Sequence, residues 1–321
     1  MKKPYIFITR TLPEEIIAPF RANWDIQMWD SEEKPVDRTI LIQETAKADA
    51  LITMLSDRID EQLLEQGAQL KVIANLAVGF DNIDVKAAQK KGIIVTNTPD
   101  VLTETTADLT FGLLMATARR FIEASDHIRN GNWENWAPLL LAGLDIHHKT
   151  IGIVGMGRIG RAVAHRAQGF HMNVLYHNRS RDTEAESALG ATYVSFEELL
   201  QQSDFVVCLA PFTEETAGMF NAKAFQTMKS SAMFINASRG ANVVEEDLYE
   251  ALVAGDIAGA GLDVFTKEPI ANDHPLLTLK QVVALPHIGS ASVETRQAMM
   301  HLCLENINLV LSGQQPKTEV K

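Results

Sequence analysis

A glycine-rich loop in the middle of the chain has the spacing that binds a pyrophosphate. The apolar, strand-like run from Thr150 to Val154 leads directly into Gly155-Met156-Gly157-Arg158-Ile159-Gly160. In this G-x-G-x-x-G pattern, the first glycine permits a tight turn, the second lets backbone approach the phosphates, and the third packs the helix on its strand. A helix is predicted over 158–168, with a strand after it from Asn173. The N-terminus of that helix is therefore the expected phosphate site.

The end of that next strand indicates which dinucleotide is bound. NAD-binding proteins place an acidic residue there to hydrogen-bond to the ribose hydroxyls. This chain has Asn178-Arg179-Ser180-Arg181 instead, and no acid occurs before Asp182. Guanidinium groups suit the geometry and charge of a phosphate dianion. We therefore expect NADPH to be preferred over NADH; two solvated surface arginines are the alternative.

Three polar residues in the second half of the chain could perform acid–base chemistry beside a bound anion. Arg239 and His287 each follow an apolar, strand-like run, and Glu268 lies in the loop five residues beyond Asp263. The carboxyl ends of the strands in a doubly wound sheet line the ligand crevice, so residues distant in sequence can meet there. Histidine titrates near neutral pH and can donate a proton. Glu268 would stabilise the imidazolium, and Arg239 can bind a carboxylate and polarise a carbonyl.

The elements that must position these residues alternate between short β-rich runs and helical segments, which predicts an α/β fold with parallel sheets. The first five strands are predicted at 5–9, 25–28, 50–53, 71–76 and 93–97. A boundary at 97–100 precedes one long predicted helix over 103–128. Six more strands are predicted at 151–154, 173–176, 204–209, 233–236, 259–263 and 282–284. Six is the number typical of a doubly wound dinucleotide domain.

The last predicted helix, over 292–312, is expected to return to the first domain. The predicted organisation is therefore a discontinuous substrate (catalytic) domain of residues 1–99 plus 290–321. Residues 100–289 form the predicted dinucleotide-binding domain.

Composition and charge exclude several classes of function. The chain of 321 residues is 46% hydrophobic, and its formal charge of −12 argues against a nucleic-acid partner. It lacks an apolar run long enough to span a bilayer, and its N-terminus lacks a signal peptide, so we expect a cytoplasmic protein without a membrane partner.

Cys208 and Cys303 are interpreted as buried side chains. No metal site is predicted, because ligand spacings such as H-E-x-x-H are absent.

These motifs, in matching order over essentially the whole chain, resemble the D-isomer-specific 2-hydroxyacid dehydrogenases. The segments that carry the resemblance are the 155–160 loop, Asn236-Ala237-Ser238-Arg239-Gly240, Gly261-Leu262-Asp263-Val264-Phe265 with Glu268-Pro269, Pro286-His287-Ile288-Gly289-Ser290, and the substrate loop from Asn75 to Asp84. The 178–181 run and Trp133-x-x-Trp136 favour the NADPH-dependent glyoxylate/hydroxypyruvate reductases within that family.

The resemblance implies a Rossmann-type doubly wound parallel sheet and a smaller flavodoxin-like α/β substrate domain. It also implies NADPH-dependent reduction of small 2-keto acids, glyoxylate and hydroxypyruvate, to 2-hydroxy acids by hydride transfer. In this scheme Arg239, Glu268 and His287 are catalytic, and His287 donates the proton.

Further site residues follow from the same resemblance. The substrate-binding residues are Leu55, Val78, Gly79, Arg239, Ser290 and Trp136, and the backbone amides of Val78 and Gly79 hold one carboxylate oxygen. Asp263 orients the nicotinamide amide. The other cofactor-binding residues are Thr106, Gly155, Gly157, Arg158, Ile159, Gly160, Asn178, Arg179, Ser180, Arg181, Pro211, Ala237 and Gly289.

Trp133 and Trp136 lie on a predicted loop that continues into apolar residues, which is typical of contact with another apolar surface. The resemblance implies a homodimer, with this arm and the 103–128 helix at the interface and one tryptophan reaching the partner's active site. Packing within one subunit is the alternative.

Two other functions stay open from the sequence. One is a 2-ketogluconate or broad 2-keto acid reductase, because the loop from Thr53 to Arg58 does not decide the chain length of the substrate. The other, from a different class, is a non-enzymatic dinucleotide-sensing binding protein.

Overall fold

A computed structural model describes residues 2–321 and divides the chain into two compact units. The first unit combines the N-terminal stretch through Leu102 with Ala291–Lys321, and the second is Thr103–Ser290. Each unit contains a parallel β-sheet, which confirms the α/β class predicted from the alternating pattern.

The first unit is built on five parallel strands in the spatial order β2-β1-β3-β4-β5, the order of flavodoxin-like folds. Its strands are β1 (Tyr5–Ile8), β2 (Asp25–Met28), β3 (Ala50–Thr53), β4 (Val72–Asn75) and β5 (Ile94–Thr96). Its helices are α1 (Glu14–Ile17), α2 (Arg38–Thr45), α3 (Glu61–Leu64), α4 (Val85–Lys90) and the C-terminal α12 (Val293–Leu311). Every residue of β3 and β4 is buried, as expected for central strands of a parallel sheet covered on both faces.

The second unit contains seven parallel strands in the order β12-β11-β10-β9-β6-β7-β8. They are β6 (Thr150–Val154), β7 (Asn173–His177), β8 (Thr192–Tyr193), β9 (Phe205–Cys208), β10 (Met233–Asn236), β11 (Gly259–Leu262) and β12 (Val282–Ala284). Its helices are α5 (Thr103–Ala118), α6 (Phe121–Arg129), α7 (Arg158–Gln168), α8 (Thr183–Leu189), α9 (Phe196–Gln202), α10 (Ala222–Thr227) and α11 (Glu245–Ala254). The strand order reverses between β6 and β9, so this Rossmann-type sheet has its switch point beside the glycine loop.

The single helix predicted over 103–128 is wrong, because two helices occupy that range. Arg120, between α5 and α6, adopts a left-handed conformation with φ of 52°. The amide of Leu144 donates to the carbonyl of Ala118 at 2.9 Å, and a Cβ on Gly143 would lie 2.2 Å from the same oxygen. A segment about 25 residues downstream in the printed sequence therefore occupies the carbonyl that another α-helical turn would need.

One further difference concerns a short element. The edge strand β8 is absent from the predicted strands, since two residues are too few to show an alternating pattern. None of the helices within residues 2–321 is long and apolar enough to cross a membrane.

Candidate active site

The three glycines of the loop after β6 meet different surroundings. Gly155 has φ of 103°, and a Cβ there would lie 2.4 Å from the backbone nitrogen of Ala210. A Cβ on Gly160 would lie 2.4 Å from the carbonyl oxygen of Gly155. A Cβ on Gly157 would meet no atom within 4 Å. The outer glycines are therefore required by packing, whereas Gly157 leaves backbone open to an approaching ligand.

The N-terminus of α7 lies directly behind Gly157, which is its N-cap residue and offers no side-chain cap. The first-turn amides, beginning at Arg158 and Ile159, thus carry the partial positive charge of an uncapped helix end. An uncapped helix N-terminus beside an open glycine is the arrangement that binds a pyrophosphate. The loop therefore fits the diphosphate of a dinucleotide.

The four residues after β7 have distinct roles. The Asn178 side chain accepts a hydrogen bond from the Met156 amide at 2.6 Å, which ties this loop to the glycine loop. Arg181 makes two bonds to Glu186, at 2.6 and 2.7 Å, and the resulting hydrogen bond lowers the pKa of Glu186. Arg179 and Ser180 are exposed, and Arg179 has no hydrogen-bond or ion-pair partner within residues 2–321. The two arginines predicted to contact phosphate are therefore not equivalent.

His287 and Glu268, predicted to act together, lie in direct contact. Nδ1 of His287 is 2.7 Å from Oε2 of Glu268, and Oε1 of Glu268 accepts the amide of Phe265 at 2.9 Å. Burial raises the pKa of Glu268, but the hydrogen bond and charge of His287 outweigh it, so the net pKa is lowered. Nε2 of His287 has no hydrogen-bond partner among residues 2–321. The carboxylate of Glu268 therefore holds Nδ1 of the imidazole, while Nε2 is left without a partner in the described part of the chain.

Asp263 holds the segment that carries the histidine. Its backbone oxygen accepts the His287 amide, and its carboxylate oxygens accept the amides of Ile288 and Gly289, each at 2.8 Å. The side chain is buried, and this burial raises the pKa of Asp263. A Cβ on Gly289 would lie 3.2 Å from the carboxylate and 3.3 Å from Thr106. Asp263, predicted to orient the nicotinamide amide, therefore also fixes the backbone on which His287 is mounted.

Arg239 follows β10 in a turn closed by Asn236, whose amide group donates to the Arg239 carbonyl at 3.0 Å. The next residue, Gly240, lies against the backbone of Phe265, where an added Cβ would lie 1.8 Å from the carbonyl carbon. Arg239 is half-buried, and its charge contributes to the lowered pKa of Glu268. These contacts bring Arg239, Glu268 and His287 into one electrostatically coupled group.

The remaining predicted residues of the second unit lie near this group or on exposed surface. Ser238, between Ala237 and Arg239, donates its hydroxyl to the carbonyl of Ala210, the residue before Pro211. Ser290 is half-buried and follows Gly289 directly. Trp136 is 75% exposed, in the segment after α6. The side chain of Trp136 is therefore not buried within the second unit.

Leu55, Val78 and Gly79 belong to the first unit, on loops that follow β3 and β4. Asn82 connects the two loops: its amide group donates to the carbonyls of Met54 and Asp57 at 3.1 and 3.0 Å. Asn75, the last residue of β4, donates to the Gly79 carbonyl at 2.9 Å and to Asn82 at 3.1 Å.

Sequence reasoning assigned no role to the amide side chains of Asn75, Asn82 and Asn97. Two of them could have been identified by their position in the sequence, since Asn75 ends β4 and Asn97 directly follows β5. Polar residues at the carboxyl ends of parallel strands are the same feature that singled out Arg239 and His287.

The structure also describes the two thiols and the side chains that could bind a metal ion. Both cysteines are buried and free, and burial raises the pKa of Cys208 to about 11. Across residues 2–321, no group of three or more His, Cys, Asp and Glu side chains is placed to hold a metal ion.

Comparison with known proteins decides the family. The model of the D-isomer specific 2-hydroxyacid dehydrogenase NAD binding domain matches residues 111–289, more than half of the chain. The chain belongs to the D-isomer-specific 2-hydroxyacid dehydrogenases. It is accordingly an NAD(P)-dependent oxidoreductase, and the matched segment covers the glycine loop, Arg239, Glu268 and His287.

Relatives of this dehydrogenase match over nearly their full lengths. A glyoxylate reductase of Korarchaeum cryptofilum is 47% identical over 315 residues, which covers 98% of this chain and 95% of the relative. A glyoxylate reductase of Thermococcus kodakarensis is 47% identical over 322 residues, covering 99% and 96%.

Solved structures share the fold. A protein of Thermus thermophilus superposes with a TM-score of 0.92 at 42% identity, covering 99% of this chain and 100% of that one. An NADPH-dependent glyoxylate/hydroxypyruvate reductase of Sinorhizobium meliloti, crystallised with NADP and malonate, gives a TM-score of 0.86 at 32% identity, covering 99% and 97%.

Proposed function

We propose that this dehydrogenase reduces glyoxylate and hydroxypyruvate to the corresponding 2-hydroxy acids, with NADPH as the preferred cofactor. The observation that carries the proposal is the 2.7 Å contact between His287 and Glu268, which leaves Nε2 of the imidazole available to a substrate. The names of the relatives, glyoxylate reductases of Korarchaeum cryptofilum and Thermococcus kodakarensis, support the choice of substrate.

The proposed mechanism assigns the proton to His287. When bound, the nicotinamide supplies the hydride that reduces the keto carbon. His287 donates a proton from Nε2 to the carbonyl oxygen, which would otherwise become an alkoxide. Glu268 accepts the hydrogen bond from Nδ1, so it fixes the orientation of the ring and balances the charge of the imidazolium.

The carboxylate of the substrate is assigned to cationic and amide donors. Arg239 supplies a guanidinium that can bind the carboxylate with two hydrogen bonds. The backbone amides of Val78 and Gly79 supply further donors, and neither N–H has an acceptor within residues 2–321. A 2-keto acid is thereby favoured over a simple aldehyde or ketone.

The preference for NADPH rests on the loop after β7. Arg179 is exposed and unpaired within the part of the chain that the structure describes, so it can turn towards a 2′-phosphate. No carboxylate stands among residues 178–181 to repel that phosphate. The solved relative from Sinorhizobium meliloti, named as NADPH-dependent, binds NADP.

We also infer that the active form is a homodimer. Helix α6 has no buried residue, and the segment around it exposes large apolar side chains: Ile128 is 59%, Trp133 56%, Trp136 75% and Leu139 83% exposed. Such a cluster is typical of a protein interface. Light scattering of the purified protein should give a mass of two chains, and an active monomer would refute this assignment.

The experiment that tests the function follows nicotinamide absorbance with glyoxylate, hydroxypyruvate and 2-ketogluconate in turn. Turnover of the first two with NADPH is expected. Preferential turnover of 2-ketogluconate would identify the broader reductase instead. Tight NADPH binding without turnover of any of the three would indicate a dinucleotide-sensing protein.

A further inference from the structure

The peptide groups of the loop after β4 are fixed from one side. The amide of Thr98 donates to the Ala77 carbonyl at 2.8 Å, and Nδ2 of Asn97 donates to the Val78 carbonyl, also at 2.8 Å. Each carbonyl shares a planar peptide group with the N–H of the following residue, and in a trans peptide the two bonds point in opposite directions. The two contacts therefore aim the N–H groups of Val78 and Gly79 away from the 97–98 segment.

Asn97 is itself held by the C-terminal segment of residues 317–321, which we call the tail. The Asn97 amide donates to the Thr318 carbonyl at 3.2 Å, and the Thr318 hydroxyl donates to the Asn97 carbonyl at 2.6 Å. The tail continues along β5: the amide of Val320 donates to the carbonyl of Val95 at 2.8 Å. One tail residue thus satisfies both backbone groups of Asn97.

The tail has a buried anchor on α12. Asn306 is fully buried; its amide nitrogen donates to the Thr318 hydroxyl at 2.8 Å, and its oxygen accepts the Lys317 amide at 2.8 Å. A connected series of hydrogen bonds therefore runs from Asn306 through Thr318 and Asn97 to the Val78 carbonyl. Because these groups are buried or half-buried, breaking one bond leaves polar atoms without partners.

We propose that Asn97, held by Thr318, is a positioning residue that aims the Val78 and Gly79 amides at the substrate carboxylate. This inference rests on the proposed function, because it assumes a carboxylate-bearing substrate. It assigns the tail a role in substrate affinity rather than in the chemical step. Asn97 acts through its contact with the Val78 carbonyl, so its loss alters the orientation of the amides and leaves the hydride and proton donors unchanged.

Two variants break the connection at different points. Asn97→Ala removes the donor to Val78, and Thr318→Val removes the hydroxyl while keeping the size of the side chain. Each should raise the KM for glyoxylate and the inhibition constant of oxalate by about three- to tenfold, the net effect of one hydrogen bond. The kcat and the KM for NADPH should stay within about twofold, because both depend on the other unit.

Lys317→Ala is the matched control, since it removes the tail's ion pair with Glu305 but leaves Thr318 in place. It should leave the glyoxylate KM unchanged. Unchanged KM and oxalate inhibition in both Asn97→Ala and Thr318→Val, in an enzyme that reduces glyoxylate, would overturn the positioning role alone. An equal rise in Lys317→Ala would also overturn it, by showing a general loosening of the tail. Failure of the wild-type enzyme to reduce any 2-keto acid would instead reject the proposed function.

Discussion

Replacing Arg179 by alanine provides the sharpest test of the proposed preference for NADPH. Arg179 is exposed and has no partner within residues 2–321, whereas Arg181 is bound twice to Glu186, at 2.6 and 2.7 Å. Arg179 can therefore contact a 2′-phosphate without breaking an existing ion pair. Arg181 would have to leave Glu186 first, so its net contribution should be smaller.

The expected magnitude follows from the charges. Two unit charges about 4 Å apart in water attract by ~1 kcal/mol, and a phosphate monoester carries nearly two negative charges at neutral pH. Loss of Arg179 should therefore cost about 1.5–2 kcal/mol, or roughly ten- to thirtyfold in NADPH affinity. Arg179→Asp adds repulsion of similar size, so the loss should reach a few hundredfold. Arg181→Ala should stay within about threefold, as is usual for exposed ion pairs.

The assay compares kcat/KM for NADPH and NADH at low and high salt. Values for NADH should not change in Arg179→Ala, since NADH lacks the 2′-phosphate. The advantage of the wild type for NADPH should shrink at high salt, because the contact is exposed and screened. An unchanged NADPH-to-NADH ratio in Arg179→Ala, or a larger loss in Arg181→Ala than in Arg179→Ala, would refute the reasoning.

Three further predictions address the catalytic pair and the glycine loop. His287→Ala should lower kcat by about 10²- to 10⁴-fold while the NADPH dissociation constant, measured by nicotinamide fluorescence, stays the same; loss of binding would contradict its proposed role as proton donor. The pKa of Glu268 is lowered in the folded protein, so its ionised form stabilises the fold at pH values above the ordinary pKa of a glutamate. This contribution disappears as the pH falls through the lowered pKa. The melting temperature of Glu268→Gln should therefore fall less on acidification than that of the wild type, and parallel curves would refute this. Gly157→Ala should melt like the wild type but bind NADPH weakly, whereas Gly160→Ala should lose stability because its Cβ would lie 2.4 Å from the Gly155 carbonyl oxygen.

Most of the fold was predictable because the buried strands of a parallel sheet are short, mostly apolar runs. The five strands of the first unit and six of the second occur where these runs lie. The break after Ala118 was not predictable in the same way, since the competing donor, the amide of Leu144, comes from a distant segment. Local pattern indicates helix-forming residues but not a distant competitor for their carbonyls.

The sequence predicts which residue types the site contains and at which strand ends they lie. It does not predict which side chains pair with each other. Arg179 and Arg181 look alike in the sequence, and only the fold shows that α8 brings Glu186 to one of them. From the sequence, Asn97 is the end of a predicted strand and the start of a predicted domain boundary. Its contacts with Val78 and Thr318 could not be predicted, because they join segments far apart in the chain. Which side chains meet is a tertiary property that spacing does not encode.

Asp263 and Asn97 show that a polar residue at a strand end can bind protein backbone rather than a ligand. Asp263 uses both carboxylate oxygens on the amides of Ile288 and Gly289, and Asn97 uses its amide group on the carbonyl of Val78. In each case a neighbouring group, not the strand-end side chain itself, is left free to contact a ligand: Nε2 of His287 in the second unit, and backbone N–H groups in the first. Such a residue, whose polar atoms are hydrogen-bonded to backbone, is thus a positioning residue. Its loss should alter affinity or rate without removing the reacting group.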